Sequence, residues 1–144
     1  MATKWVWASA SGPFPPNMVE GGQDSDGCPM YVGRANHAGD VVPAKVIPQK
    51  NAAYIAHGGE EILVESIEVL CQKELLWDNA TGGNIPPDAV VGGSTVDGEL
   101  LYVGRAVHEG SQTVGKVQRS HGCLYIPYGG AEVALQGYEV LCER

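Results

Sequence analysis

Apolar residues come in short runs broken by glycine, proline or a carboxylate, and no stretch keeps an i, i+3, i+4, i+7 spacing over three turns. The pattern predicts strands. Lys4 to Ala8 opens as one, Met30 to Ala35 is a second between Asp26-Gly27 and Ala38-Gly39, and Ala44 to Ile47 is a third, closed by Pro48. Ala53 to His57 follows and stops at Gly58-Gly59. Ile62 to Cys71 reads as one longer strand or two joined ones, because Val64, Ile67, Val69 and Leu70 mix both faces. Leu100 to Val107, Gly115 to Gln118, Leu124 to Tyr128 and Val133 to Cys142 repeat the series. Strands about 8–12 residues apart with turn residues between them predict an antiparallel all-β domain.

The repetition is explicit. Pro15 to Cys71 aligns with Pro86 to Cys142 at a constant offset of 71 residues, with about 25 of 57 pairs identical. Tyr31 to Ala35 recurs as Tyr102 to Ala106, Lys45-Val46 as Lys116-Val117, and Glu68 to Cys71 as Glu139 to Cys142. Residues 1–71 therefore form a first repeat and 72–144 a second. Each is too small to bury an adequate core alone, so strands of one copy are expected to complete the sheet of the other. Ser9 to Gly22 and Asn79 to Gly93 each carry a Pro-Pro pair and end in Gly-Gly. Being equivalent, they are expected to be ordered loops, which leaves Gln72 to Leu76 as the connector.

Charge narrows the partners. Net charge is −8, shared evenly, with Lys/Arg 4 against Asp/Glu 8 in the first repeat and 5 against 9 in the second. There is no basic stripe, which argues against nucleic acid or an anionic membrane as the main partner. No apolar run is long enough for a signal peptide or a membrane span, so the cytoplasm is the expected compartment, with unconventional release left open. The four cysteines, 28, 71, 123 and 142, show no Cys-x-x-Cys spacing and are expected to be free thiols.

The repeat also sorts the polar residues. Asp26 and Asp97 recur before glycine and suit a turn, where the carboxylate accepts a backbone N–H two residues on. Asp24 has Thr95 as its counterpart. A carboxylate present in one copy only is not demanded by the shared fold, which makes Asp24 a functional candidate. A calcium loop starting at Asp24 fails, because Cys28 and Ala35 fall where ligands are needed. Lys45 and Lys116 recur and read either as solvated strand positions or as fixed ammonium donors beside a carboxylate. Such a pair suits vicinal hydroxyls, which donate to the carboxylate and accept from the ammonium. Arg34 and Arg105 read as structural, paired with Glu68 and Glu139 or with Glu61 and Glu132; His37 and His108 read as turn residues. No nucleophile elbow, zinc-protease helix or phosphate loop occurs, so no enzymatic activity is expected.

Gly22 to Gly27, Tyr31 to Ala35, Pro43 to Val46, Gly58 to Glu61 and Ile67 to Leu70, with their second copies, resemble the DM-nine repeat family over nearly the whole chain. The family includes two-repeat mannose-binding lectins of bivalves, the amino-terminal part of natterin-like pore formers, and insect proteins. The resemblance to the stand-alone lectins implies an all-β pair of pseudo-symmetric halves, a homodimer, and metal-independent recognition of mannose-containing glycans on microbial surfaces, without a cofactor. It places the mannose contacts on Asp24 and Lys45, with Asp26 beside them. In the second copy Lys116 matches and Asp97 recurs, but Thr95 replaces the aspartate, so a site there would be dead or differ in specificity.

Overall fold

A computed structural model describes residues 4–71 and 74–143. The first half contributes β1 (Trp5–Ser9), β2 (Glu20–Gln23), β3 (Pro29–His37), β4 (Asp40–Ile47), β5 (Ala52–His57), β6 (Glu60–Val64) and β7 (Ser66–Leu70). The second contributes β8 (Leu75–Thr81), β9 (Val91–Ser94), β10 (Leu100–His108), β11 (Ser111–Gln118), β12 (Cys123–Tyr128), β13 (Ala131–Leu135) and β14 (Gly137–Glu143). Pro48–Lys50 and Arg119–His121 are single 3-10 turns. The all-β expectation holds. The long segment is two strands, broken at Glu65 in the first half and at Gln136 in the second.

Two expectations need correction. Gln72 and Lys73 lie outside the described residues, but the rest of the expected connector does not behave as one, since β8 already begins at Leu75. The two equivalent loops are also shorter than expected, because β2 and β9 occupy their ends and β8 runs through Asn79 to Thr81.

The hairpins follow from local chemistry. Gly58-Gly59 and Gly129-Gly130 join β5 to β6 and β12 to β13, all four with positive φ. Two-residue turns of this hand match the twist of the paired strands, and glycine adopts them without a Cβ penalty. Ala38-Gly39 and Glu109-Gly110 make the same turn between β3 and β4 and between β10 and β11.

The halves interlock as expected. β2 lies between β3 of its own half and β11 of the other, and β9 lies between β10 and β4. β6 pairs with β13 through Glu60 and Ala131. Strands β3–β4–β5–β6–β13–β12–β11–β2 thus close on themselves as an eight-membered barrel, and β10–β11–β12–β13–β6–β5–β4–β9 is its pseudo-symmetric twin. One core cluster is shared: Met30, Val32, Ile47 and Leu70 pack with Val90, Val103, Val114 and Leu141, all at most 2% exposed. Fully burying each such side chain contributes about 1.5–3 kcal/mol, and this part of the core needs both halves.

β1 and β8 flank the barrels on β7 and β14. Trp5 stacks on Arg34 at 4.3 Å and Trp77 on Arg105 at 4.1 Å, while each arginine Nε donates to its glutamate, Glu68 or Glu139, at 2.9 Å. Of the two pairings the sequence left open, these are the ones formed. Trp5 and Trp77 stand 72 residues apart, so the repeat extends back to β1 and β8 with a one-residue change of offset before Pro15. The four cysteines are free thiols. Burial pushes the Cys142 thiol up to about 12, which keeps it protonated and inert.

Candidate functional site

The turn after β2 carries the first group. Asp26 Oδ1 accepts from Cys28 N–H at 3.1 Å, the turn role expected of it, and Asp24 Oδ1 accepts from Ser25 N–H at 2.9 Å. The other oxygens of both carboxylates meet Lys50 Nζ, at 2.6 Å for Asp24 and 2.9 Å for Asp26. Lys50 ends the 3-10 turn after β4, closed by Asn51 in the left-handed region. The sequence reading missed Lys50, although its signal matched that of Asp24: its repeat counterpart is His121, so it too occurs in one copy only.

Lys45 lies on β4 with its side chain 5% exposed. Its Nζ donates to Pro127 O at 2.7 Å and meets Glu61 Oε2 at 2.9 Å. The rings of Tyr54 and Tyr128 flank it at 5.3 and 5.5 Å. Glu61 Oε1 accepts from Gly130 N–H at 2.9 Å, so the turn of the second half fixes a carboxylate of the first. Asp24, Lys45, Ile47, Lys50, Tyr54, Glu61, Tyr128 and Gly129 line one cleft of about 290 Å³. Asp24 and Lys45 are brought together there, and Asp26 stands exposed on the rim.

The cleft mixes acceptors, donors and ring walls. Asp24 and Glu61 keep lone pairs beyond those already used, and the Lys45 ammonium has a third N–H to donate. Burial of Asp24 acts to raise its pKa, but the hydrogen bond from Lys50, the Ser25 N–H and the charge of the two lysines outweigh it and hold the group below 3.8. Asp26 is lowered to about 2, chiefly by the Lys50 hydrogen bond and then by Cys28 N–H. Both folded values lie below the unfolded one. Their pairing with Lys50 is therefore fully present above the unfolded pKa near 3.8 and is lost as pH falls through the folded values. Ligand binding by this cleft should therefore be flat from about pH 8 to about pH 4 and be lost only below that, as pH falls through the lowered carboxylate values. A titration midpoint near pH 6 would instead place a histidine in the binding step.

The second half repeats part of this arrangement. Lys116 Nζ meets Glu132 Oε2 at 3.0 Å and sits 5.5 Å from the Tyr125 ring, while Gly59 N–H donates to Glu132 Oε1 at 3.0 Å. The Asp–Lys clamp is absent there. Thr95 Oγ1 accepts from Glu99 N–H at 3.1 Å, His121 Nδ1 is 2.8 Å from Tyr125 Oη, and Asp97 is an exposed turn residue. His37 packs edge-on to His57, and His108 to Tyr128. Among the described residues no group of three or more His, Cys, Asp or Glu is placed to hold a metal ion. A larger groove of about 620 Å³ lies over β8, β10 and β14. Its two charged groups, Arg105 and Glu139, are already paired with each other, so the smaller cleft is the better candidate.

The DM9 repeat pattern matches residues 24–135, which span the whole cleft from Asp24 to Gly129. This chain belongs to the DM9 repeat family. Natterin-1 of Thalassophryne nattereri is 36% identical over 69 residues, covering 47% of this chain and 18% of natterin-1. The nematode sperm cell motility protein MFP2B matches in structure with a TM-score of 0.73 at 17% identity, over 98% of this chain and 46% of that one. That likeness concerns the fold alone, and this chain spans less than half the length of either protein. Membership of the DM9 repeat family and the natterin-1 match are compatible with a carbohydrate-binding role.

Proposed function

We propose that this DM9 repeat chain is a lectin that binds mannose or mannose-rich glycans without a metal, and that it serves to recognise microbial surfaces. The observation that carries the proposal is the convergence of Asp24, Lys45, Lys50 and Glu61 with two tyrosine rings on one small cleft. Asp24 and Glu61 accept from sugar hydroxyls, Lys45 donates to a ring-face oxygen, and Tyr54 and Tyr128 offer apolar walls. Lys50 holds Asp24 in place and keeps it ionised. The cleft is at the small end of ligand pockets, about 300 Å³, which suits one sugar ring. A single contact of this kind gives about millimolar affinity, near −4 kcal/mol. Two copies presented together raise avidity on a glycan-coated surface by roughly 10²-fold.

Calorimetric titration of mannose tests the proposal, with galactose as control, into wild type and Asp24→Ala, with and without chelator. The expected result is mannose heat that the substitution abolishes and chelator leaves unchanged, with the variant still folded. Retained heat in Asp24→Ala overturns the site. One observation favours a different reading, an interaction module of the same fold: the Lys45 ammonium is already engaged twice, by Glu61 and by the Pro127 carbonyl. Absence of heat with any sugar, followed by a silent glycan array, would support that reading.

A further inference from the structure

The groove of about 620 Å³ over β8, β10 and β14 has a filled counterpart in the first half. β10 and β14 pair only at Gly104–Val140 and Arg105–Glu139 and then part, as β3 and β7 do beyond Arg34–Glu68. In the first half Trp7 of β1 lies at that parting with Arg34, Ala35, Val41 and Glu68, and the space left beside the indole is about 10 Å³. Asn79 takes the place of Trp7 in the second half, since it stands opposite Glu139 as Trp7 stands opposite Glu68. Gln112 replaces Val41, and Gly137 replaces Ser66. A Cβ on Gly137 would meet nothing within 4 Å, so the floor of the groove is clear.

The groove adjoins the cleft, because hairpin β10–β11 borders both. Val107 and Gln112 line the groove. Gln112 pairs with Gln23, the residue before Asp24. Tyr128, a wall of the cleft, donates to the Glu109 carbonyl in the turn of the same hairpin at 3.4 Å and packs edge-on to His108. The lining is neutral in sum. Arg105 is fixed by Glu139, by the Gly21 carbonyl at 3.1 Å and by the Trp77 ring, so its charge stays matched. Asn79, Thr81 and Gln112 supply two carboxamides and a hydroxyl, groups that both donate and accept. Val107, 75% exposed, adds an apolar side. Neutral rings rich in hydroxyls fit this lining, with O–H groups bonding to the carboxamides and C–H faces against Val107. A charged ligand would find no unmatched partner.

We propose that the groove seats the rings that follow the one held in the cleft, so that the protein recognises a mannose-rich chain and not a single mannose alone. This rests on the lectin reading of the cleft. A chain leaving the cleft beside Asp24 and Tyr128 meets Gln112 and Val107 and continues toward Asn79 and Thr81.

The test is calorimetric titration of mannose and of a linear mannotriose, which has a single non-reducing end, into wild type, Asn79→Trp, Gln112→Val and Asp24→Ala. The first two substitutions copy the residue that the first half carries at the equivalent place, so the fold accommodates them. Wild type is expected to bind the trisaccharide about tenfold tighter than mannose. Asn79→Trp puts an indole in the groove; it should bind mannose as wild type does and the trisaccharide no more than about twofold tighter. Gln112→Val should keep a gain of about threefold at most. Asp24→Ala should bind neither sugar. Equal affinity of wild type for the two sugars overturns the inference and leaves the cleft as a site for one ring. A tenfold gain that both groove variants keep overturns it as well. If Asn79→Trp melts early, Gln112→Val decides. Silence of wild type toward both sugars overturns the lectin reading, and this inference falls with it.

Discussion

Lys45→Met should destabilise the protein by about 3–5 kcal/mol, the usual cost of removing one partner of a buried ion pair. Methionine replaces most of the lysine stem, so the packing loss is small. The loss comes from Glu61, whose side chain is 14% exposed and whose Oε2 faces the Lys45 ammonium at 2.9 Å. Without the ammonium that oxygen keeps its charge and loses its counter-charge. The Pro127 carbonyl loses its donor as well. Adding Glu61→Gln to the variant removes the orphaned charge while leaving an amide oxygen for Gly130 N–H. The double variant should therefore recover stability, with a coupling of about 2 kcal/mol between the sites. Urea unfolding of the wild type, both singles and the double measures this directly. A Lys45→Met protein within about 1 kcal/mol of wild type would show that the pair is not structural. Sugar binding should be absent in the single and the double alike, which separates the role of Lys45 in the fold from its role in the cleft.

Gly93→Ala should cost about 3 kcal/mol or more by prising β9 off the opposite half. A Cβ there would fall on the Val41 carbonyl oxygen and within 2.6 Å of its carbon. Both are backbone atoms of β4, fixed by pairing on either side, so neither can turn away as a flexible side chain would. Only separation of the two strands relieves the overlap, and that opens the closed ring where Val41 meets Ser94. Gly22 sits against Gln112 in the same way, so Gly22→Ala should act alike. Gly137→Ala is the control, because a Cβ there meets nothing within 4 Å. Equal stability of Gly93→Ala and Gly137→Ala by urea unfolding would sink the argument.

The longer strands and the exchange between halves are legible because the repeat is gap-free from Pro15 onward and each half is too short for a core of its own, whereas β2, β8 and β9 are hidden in segments that read as loops and connector. The Gly-Gly ends of the two loops were visible too, but not their purpose, which depends on a backbone carbonyl contributed by a strand far along the chain. Asp24 and Lys45 were found by different signals, one by its uniqueness and one by its recurrence. Lys50 was missed because it follows a proline in what reads as a turn. By sequence Glu61 reads only as a partner for arginine. Its true partner depends on which side chains of β6 point to the same side of the sheet as Lys45 of β4, with β5 between the two strands, a matter of register that alternation in Glu60 to Val64 does not settle. Trp7 and Asn79 were not recognised as counterparts because the offset changes by one residue before Pro15, and an ungapped comparison stops there.

The crossed turns have a consequence for how such a chain can change over time. Gly130 of the second half holds Glu61 in the first cleft, and Gly59 of the first half holds Glu132 in its counterpart. A single-repeat ancestor could complete a cleft only by pairing with its twin, and the two clefts of that pair would have been identical. Every substitution would have struck both at once. Two copies in one polypeptide are free of that constraint: one cleft can carry Asp24 and Lys50 while the other carries Thr95 and His121. Each cleft is thus held in shape by the half that carries the other, because the wall of each is a turn that the other half cannot lose.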